Sequence, residues 1–207
     1  MVPDEPPFVD ARSGPIGPVP CGDDTLACGC DINAARAAGD TWNRRGTKVM
    51  ATVSEAAADF LAQKRIAVAG VSRNKAGHGG NVVYARLKQR GYEVFAVNPN
   101  AETVEGDTCY RDLASIPGGV DAVVIATNPS ATDAVVADCV SLGIKRVWMH
   151  RSFGGGSVSD SGVAAGRMAG LTVIAGACPL MFDPTADGAH KCMRWVLGFT
   201  KAKPTAG

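Results

Sequence analysis

The sequence lacks the long apolar runs of a membrane protein and lacks an excess of charge of one sign. Its longest unbroken apolar run, residues 122–126, is far shorter than the roughly 20 residues that a membrane-spanning helix needs. The 21 Lys and Arg residues nearly balance the 20 Asp and Glu residues, which leaves a net charge of +1. A nucleic-acid-binding domain usually carries a basic surplus. We therefore expect neither a membrane nor a nucleic acid as partner.

The N-terminal residues also lack the features of a secretory signal peptide. They are acidic and interrupted by proline, whereas a signal peptide begins with basic residues and continues with an apolar stretch. Six of the twelve prolines lie in residues 1–20, and no apolar periodicity runs through the first 50 residues. We expect a cytoplasmic, soluble protein in which residues 1–50 form a flexible or irregular leader.

The seven cysteines do not form an evident disulfide framework. Their number is odd, and disulfides are rare in the cytosol. Cys21, Cys28 and Cys30 fall in the leader, but a zinc site usually needs four ligands with a Cys-x2-4-Cys pair, and the leader has no histidine. Free thiols, a redox or intermolecular role and a metal site completed elsewhere all stay open, so we assign no metal ligand.

From residue 52 onward, strand-like and helix-like patterns alternate. Thr52 and Glu55 have the spacing of a capping box. Strands are predicted over residues 66–70, 93–97, 122–126, 146–149 and 172–174, and helices over residues 81–90, 130–142 and 158–169, each helix being followed by glycine. Only a short helical turn, near residues 111–115, is expected between the second and third strands. The alternation predicts an α/β fold over residues 52–200: a doubly wound, mainly parallel five-stranded sheet with helices on both faces.

A closing helix is predicted over residues 183–199. Asp183 suits the N-cap position and Pro184 the first helical position. Five apolar residues repeat at helical spacing and are expected to pack on the sheet: Ala189, Cys192, Met193, Val196 and Phe199.

The loop after the first predicted strand has the composition of a phosphate-binding turn. In open α/β sheets, ligands bind outside the carboxyl ends of the strands. Backbone N–H groups at the start of the following helix would bind an anion, and two basic side chains add positive charge. The alternative to phosphate binding is that the glycines serve only the conformation of the turn. The spacing matches neither Gly-x-Gly-x-x-Gly nor a P-loop. The candidate residues are Gly70, Ser72, Arg73, Asn74, Lys75 and Asn81.

The ends of the other strands carry polar residues but no evident catalytic set. Asn98 and Pro99 follow the second strand, where an NAD enzyme usually has a carboxylate. His150 follows the fourth strand and suits anion contact or acid–base work, although a lone histidine is more often structural. Cys178 follows the fifth, where a small buried cysteine is the commoner outcome. Thr127, Asn128 and Pro129 follow the third strand and could face a phosphate or ribose.

Several short motifs, in order across residues 60–195, resemble the small CoA-binding-domain proteins. These are Rossmann-like domains related to the CoA-binding domain of the succinyl-CoA synthetase alpha subunit and of ADP-forming acyl-CoA synthetases. The motifs include Val68-Ala69-Gly70-Val71-Ser72-Arg73-Asn74, Val97-Asn98-Pro99 and Cys178-Pro179-Leu180-Met181-Phe182. Nothing in the sequence matches the ATP-grasp partner or the phosphorylatable-histidine domain of the synthetases.

The resemblance implies that CoA or an acyl-CoA lies across the strand ends. The glycine-rich loop, from Gly70 to Lys75, would then hold phosphates, while Asn98 and Pro99 would border the adenosine. Residues 127–129 would approach the pyrophosphate or the pantetheine arm. The missing carboxylate after the second strand agrees with this ligand, because the 3′-phosphate of CoA would be repelled by it.

Three functions therefore remain open. The first is a CoA-binding module without catalytic apparatus of its own. The second is an oxidoreductase that uses NAD(P), with Arg73 and Lys75 suited to the extra phosphate of NADP, although no Tyr-x-x-x-Lys pair is present. The third is the CoA-binding subunit of a larger acyl-CoA ligase. A homodimer or an acyl-CoA enzyme is accordingly the expected protein partner, and a nucleotide the expected small-molecule ligand.

Overall fold

The computed structural model describes residues 41–42, 48–49, 52–74, 79–151, 156–182, 184–198 and 206 of the chain. The strands among these residues are β1 (Thr41–Trp42), β2 (Lys48–Val49), β3 (Arg65–Ala69), β4 (Glu93–Val97), β5 (Thr103–Val104), β6 (Asp107–Tyr110), β7 (Ala122–Ile125), β8 (Arg146–Met149) and β9 (Thr172–Ala175). The helices are α1 (Val53–Leu61), α2 (Gly79–Gln89), α3 (Pro129–Ser141), α4 (Asp160–Met168) and α5 (Gly188–Gly198). Residues Pro179–Met181 form one short 3-10 turn.

Seven of the strands form one sheet in the order β5-β6-β4-β3-β7-β8-β9, while β1 pairs only with β2. Every neighbouring pair in the large sheet is parallel except β5 with β6. Along β6-β4-β3-β7-β8-β9 this is the Rossmann order, in which the direction of strand succession reverses between β3 and β7. The predicted doubly wound, mainly parallel fold is confirmed. The sheet has seven strands, however, and not five.

Apolar side chains bury both faces of the sheet, because the central strands are apolar on each side. All four residues of β7 are buried, as expected for a central parallel strand. One face is covered by α1, α2 and the turn at residues 179–181, around an aromatic group in which Trp148 contacts Phe60 and Phe182, each at 5.3 Å between ring centroids. The other face is covered by α3, through the buried Val136 and Cys139, and by α4, through Val163.

The predicted helix boundaries are largely correct because their capping signals are used. Thr52 and Glu55 form both hydrogen bonds of the capping box at the start of α1. Gly91, Gly143 and Gly170 follow three helices with φ values of +83°, +72° and +79°. A left-handed residue at this position lets the chain leave a helix while the last carbonyls stay hydrogen-bonded. Within the described residues, no helix is long and apolar enough to cross a bilayer.

The connection between β4 and β7 contains a hairpin that the sequence analysis missed. Strands β5 and β6 are joined by Glu105 and Gly106, which both have positive φ, at +56° and +88°. The Tyr84 hydroxyl donates to Asp107 at 2.8 Å, and Lys88 pairs with the same carboxylate at 2.5 Å. Helix α2 therefore holds the hairpin at the edge of the sheet, where β6 extends the parallel ladder beside β4.

The closing helix begins later than the sequence indicated, at Gly188 rather than near residue 184. Asp187 accepts a hydrogen bond from the backbone N–H of His190 at 2.9 Å and so serves as N-cap. Thr185 is buried and bonds the carbonyls of Pro179 and Phe182, which keeps the chain in a turn at this point. The proposed N-cap Asp183 lies outside the described residues.

The prediction that the closing helix packs on the sheet through its apolar residues is also wrong for those residues whose burial is described. Ala189 and Cys192 are exposed, as is Trp195. The side chains of Met193 and Val196, as well as Phe199, lie outside the described residues, as do Cys21, Cys28, Cys30 and nearly all of the leader. The apolar spacing alone therefore did not identify the buried face of α5.

One buried cation near α5 leads to a stability prediction. The Nη1 atom of Arg90 is buried without a hydrogen-bond partner within the described part of the chain, and Nη2 lies 3.8 Å from Asp187. Arg146, by contrast, bonds Asp59 through Nε at 2.6 Å and Nη2 at 3.2 Å. We expect Arg90→Met to leave the free energy of unfolding unchanged or to raise it by about 1 kcal/mol, and Arg146→Met to lower it by about 1–2 kcal/mol. Urea denaturation of the two variants beside the wild type measures both; an equal loss in both would contradict the prediction.

Candidate functional site

A cleft of about 480 Å³ lies at the carboxyl ends of β3, β4 and β7, at the point where the strand order reverses. This is the position at which doubly wound folds bind their ligands. Six residues proposed from the sequence line it: Gly70, Ser72, Asn98, Pro99, Thr127 and Asn128. The cleft is therefore assembled from the ends of the first three predicted strands.

Gly70 allows the first loop to pass directly over the end of β7. Its φ is +94°, and a Cβ atom built on it would lie 2.6 Å from the carbonyl oxygen of Ala126. Its N–H donates to the carbonyl of Val97 at 2.9 Å, which ties the loop to the end of β4. Gly80, in the first turn of α2, is similarly close to Ala126, with a Cβ contact of 2.9 Å. Both positions require glycine because the backbone of Ala126 and its side chain leave no room for a Cβ atom. Gly70 requires it also because of its positive φ.

Asn81 braces this loop and does not line the cleft. Its Oδ1 accepts from the Ser72 N–H at 2.8 Å, and its Nδ2 donates to the Ser72 carbonyl and to Glu105, both at 2.8 Å. Ser72 in turn accepts from the N–H of Asn74 at 3.1 Å. Arg73 and Asn74 are exposed beyond the lining residues, and Lys75 lies outside the described residues. The loop is consequently a braced turn whose Arg73 does not line the cleft.

Asn98 also has a structural part in the site. Its Nδ2 donates to the Val71 carbonyl at 2.8 Å, and its Oδ1 accepts from the Asn100 N–H at 2.9 Å. The amide thus joins the end of β4 to the first loop. Since no carboxylate follows β4, this wall presents no negative charge to a ribose phosphate at that point.

The third strand end is held by a buried hydroxyl network. The hydroxyl of Thr132, which is fully buried, donates to the Ser157 carbonyl at 2.8 Å, and the Ser157 hydroxyl donates to the Thr127 carbonyl at 2.6 Å. Pro129 opens α3, and its N-cap Asn128 makes no side-chain capping bond. The amide of Asn128 is therefore exposed at the rim and not used by the helix.

One face of α3 forms a wall that the sequence analysis did not assign to the site. Ala131, Ala134, Val135 and Asp138 follow the i, i+3, i+4, i+7 spacing of a single helix face and all line the cleft. Val97 and Leu113 also line it. The result is a slot with small apolar side chains on its walls and one carboxylate at the end of the helix face.

The charged residues that line the cleft besides Asp138 come from the segment after β6. Arg111 is 80% exposed and its Nε lies 3.8 Å from Asp112. The Asp112 carboxylate accepts from the backbone N–H and the hydroxyl of Ser115, at 2.8 and 2.5 Å, and these bonds hold its pKa below the usual value. Because β6 was missed in the sequence, so was the strand end that supplies Arg111.

His150 packs beneath the start of α2 and does not line the cleft. It is 7% exposed, and a Cβ atom on Gly79 would lie 2.7 Å from its Cε1. Burial lowers its pKa to about 4, so the ring is neutral at neutral pH. Cys178 is buried as well, and burial raises the pKa of its thiol to about 11. Neither group has the environment of an activated acid, base or nucleophile.

The family model described as a CoA binding domain matches residues 64–184, more than half of the chain. The chain belongs to this CoA-binding-domain family. The resemblance inferred from the short motifs is thereby confirmed, and the matched range contains the entire lining of the cleft.

Two curated relatives and one solved structure support the assignment. An ADP-forming acetate–CoA ligase II of Archaeoglobus fulgidus is 37% identical over 89 residues, which are 42% of this chain and 13% of the relative. The alpha subunit of the corresponding Pyrococcus furiosus ligase is 33% identical over 89 residues, 42% of this chain and 19% of the subunit. A hypothetical protein from Pyrococcus horikoshii aligns with a TM-score of 0.57 and 28% identity, over 63% of this chain and 89% of its own. The chain thus spans less than a fifth of the curated relatives, but most of this small protein.

Proposed function

We propose that this CoA-binding-domain protein binds CoA or an acyl-CoA in the cleft at the ends of β3, β4 and β7. The observation that carries the proposal is the cleft itself, a slot at the switch point bounded by a braced glycine-rich loop. A ligand pocket in a protein usually occupies about 300–1,000 Å³, and the 480 Å³ cleft falls in that range. Membership of the family supports the choice of CoA over other nucleotides.

The walls suit the parts of this ligand. The apolar face of α3 offers Ala131 and Ala134 for contact with a base, and Asp138 can accept a hydrogen bond from an exocyclic amino group. The Ser72 hydroxyl and the amide of Asn128 can donate to the phosphates. The backbone N–H groups of Gly70, Ser72 and Asn74 already donate to other groups of the protein. Six of the residues proposed from the sequence face the ligand: Gly70, Ser72, Asn98, Pro99, Thr127 and Asn128. Asn81 does not face it but holds Ser72 in place through two hydrogen bonds.

A thermal-shift panel tests the proposal. CoA or acetyl-CoA at about 100 times its Kd should stabilise the protein by about 2.7 kcal/mol, which corresponds to a rise in Tm of several degrees. NAD and ATP at the same concentration should give a smaller rise. No shift with CoA, acetyl-CoA or a longer acyl-CoA would contradict the proposal. A shift with NADP alone would favour the oxidoreductase, which has no support among the relatives.

A second candidate is a CoA-binding subunit of a larger acyl-CoA ligase. It is favoured by the names of the two curated relatives, both ADP-forming acetate–CoA ligases of which this chain covers only a small part. The tagged chain, purified from its native cells, would then bring with it a partner that converts ATP, CoA and acetate into ADP, phosphate and acetyl-CoA. A tagged chain that elutes alone and has no such activity would favour the stand-alone binding module.

A further inference from the structure

Arg111 stands at the junction of two cavities. It lines the 480 Å³ cleft and also a second, more open cavity of about 740 Å³, which lies between residues 99–102 after β4 and residues 108–115 in and after β6. Pro99, at the end of β4, also lines both cavities. A ligand too long for the cleft would therefore leave it between Pro99 and Arg111.

The guanidinium of Arg111 is available to a ligand. The side chain is 80% exposed, and the 3.8 Å separation from Asp112 exceeds hydrogen-bond distance. The Asp112 atom that faces Arg111 is Oδ2, while Oδ1 accepts from the two donors of Ser115, so the two charged groups pair at ion-pair distance without a hydrogen bond. Among the described residues that line the cleft, Arg111 is the one with a positive charge.

The position of Arg111 also corresponds to one part of a nucleotide. In doubly wound folds the ribose lies at the end of the second strand of the sheet, where a carboxylate selects free hydroxyls and a nearby arginine accommodates a ribose phosphate. Here the second strand is β4. It is followed by Asn98, Pro99 and Asn100 instead of a carboxylate, and the amide of Asn98 is engaged by Val71 and Asn100.

We infer that Arg111 binds the phosphate on the ribose of the nucleotide and thereby sets a preference for CoA over dephospho-CoA. The inference rests on the proposed function. It assigns phosphate recognition to a side chain at the end of β6, a strand separate from the glycine-rich loop. The guanidinium forms two parallel hydrogen bonds with a phosphate, which makes the contact both strong and specific for that group.

Calorimetric titration of the full chain with CoA and with dephospho-CoA tests this inference. The wild type should bind CoA at least about tenfold more tightly, since a hydrogen bond to a charged group contributes about 1.5–3 kcal/mol. Arg111→Gln should reduce the affinity for CoA to that for dephospho-CoA and leave the latter unchanged. Arg111→Lys should retain part of the preference. Arg86→Gln is the matched control, because Arg86 lies in the last turn of α2, contacts Gln89 at 3.5 Å and lines neither cavity.

Two results would overturn the inference while the proposed function stands. One is a wild type that binds both ligands equally, and the other is Arg111→Gln weakening both ligands by the same factor, which would place Arg111 at the pyrophosphate. A wild type that binds neither CoA nor dephospho-CoA would instead remove the proposed function, and the inference with it.

Discussion

Gly70→Ala is expected to abolish CoA binding and to lower the free energy of unfolding by about 3 kcal/mol. The new Cβ would lie 2.6 Å from the carbonyl oxygen of Ala126 and 2.8 Å from the backbone nitrogen of Thr127, both of them rigid backbone atoms. Overpacking of this kind costs about 1–3 kcal/mol, and the φ of +94° adds about 1–2 kcal/mol of left-handed strain. The loop can relieve the contact only by moving away from β7, which separates two walls of the cleft.

Gly91→Ala is the control variant for Gly70→Ala, because it introduces the same backbone strain without a steric contact. Gly91 has nearly the same φ, +83°, but no atom lies within 4 Å of its would-be Cβ, and it stands at the end of α2 away from the cleft. We expect a loss of about 1 kcal/mol with CoA binding retained. Urea denaturation and titration with CoA, performed on both variants, give the comparison. If Gly70→Ala bound CoA as the wild type does, the close approach to Ala126 would not be needed for the site.

The strands that the sequence predicted best are short β-rich runs bounded by glycine or charge. Residues 93–97 and 146–149 were predicted with the observed limits, because each is one charged residue followed by a run of apolar residues. The β5–β6 hairpin has no such run, since its strands contain two and four residues. Its available signal was the Glu105-Gly106 pair between Thr103-Val104 and Asp107-Thr108, the spacing of a tight two-residue turn.

The lining of the candidate cleft was predictable from the positions of the residues, but the contacts within it were not. Gly70, Asn98 and Thr127 were proposed because ligands bind at the carboxyl ends of parallel strands, and all three line the cleft. The sequence could not show that the side-chain amides of Asn81 and Asn98 hydrogen-bond to backbone carbonyls of the first loop. Those carbonyls lie 9 and 27 residues away along the chain. The α3 wall could have been predicted from the sequence by helical spacing. Its residues share one helix face: Ala131, Ala134, Val135 and Asp138. Arg111 depended on recognising β6 first.

The stability of the protein should fall by about 2 kcal/mol between pH 7 and pH 4.5 because of His150. Burial lowers the folded-state pKa of this imidazole from 6.5 to about 4. Between these two values the unfolded chain binds a proton that the folded protein does not, so stability rises with pH through this window. The full contribution is about 3 kcal/mol. It is complete above pH 6.5 and is lost as the pH falls towards 4.

Three of the carboxyl groups whose pKa values are lowered titrate in a different pH range. Hydrogen bonds from Lys88, Ser115 and Ser159 lower the pKa values of Asp107, Asp112 and Asp133, respectively, from an ordinary value of 3.8. Their stabilisation is present above that value and is lost only as the pH falls below it. The interval from pH 7 to pH 4.5 therefore isolates the imidazole from these three carboxylates.

His150→Phe makes the pH prediction specific, because it keeps a ring beside Gly79 that cannot be protonated. Urea denaturation of the wild type and the variant should show a loss of about 2 kcal/mol between pH 7 and pH 4.5 in the former and less than about 1 kcal/mol in the latter. Equal slopes would mean that another group dominates acid unfolding. CoA binding at pH 7 should survive the substitution, since His150 lies beneath α2 and outside the cleft lining. Loss of binding in a folded variant would instead give the imidazole a direct part in holding the ligand.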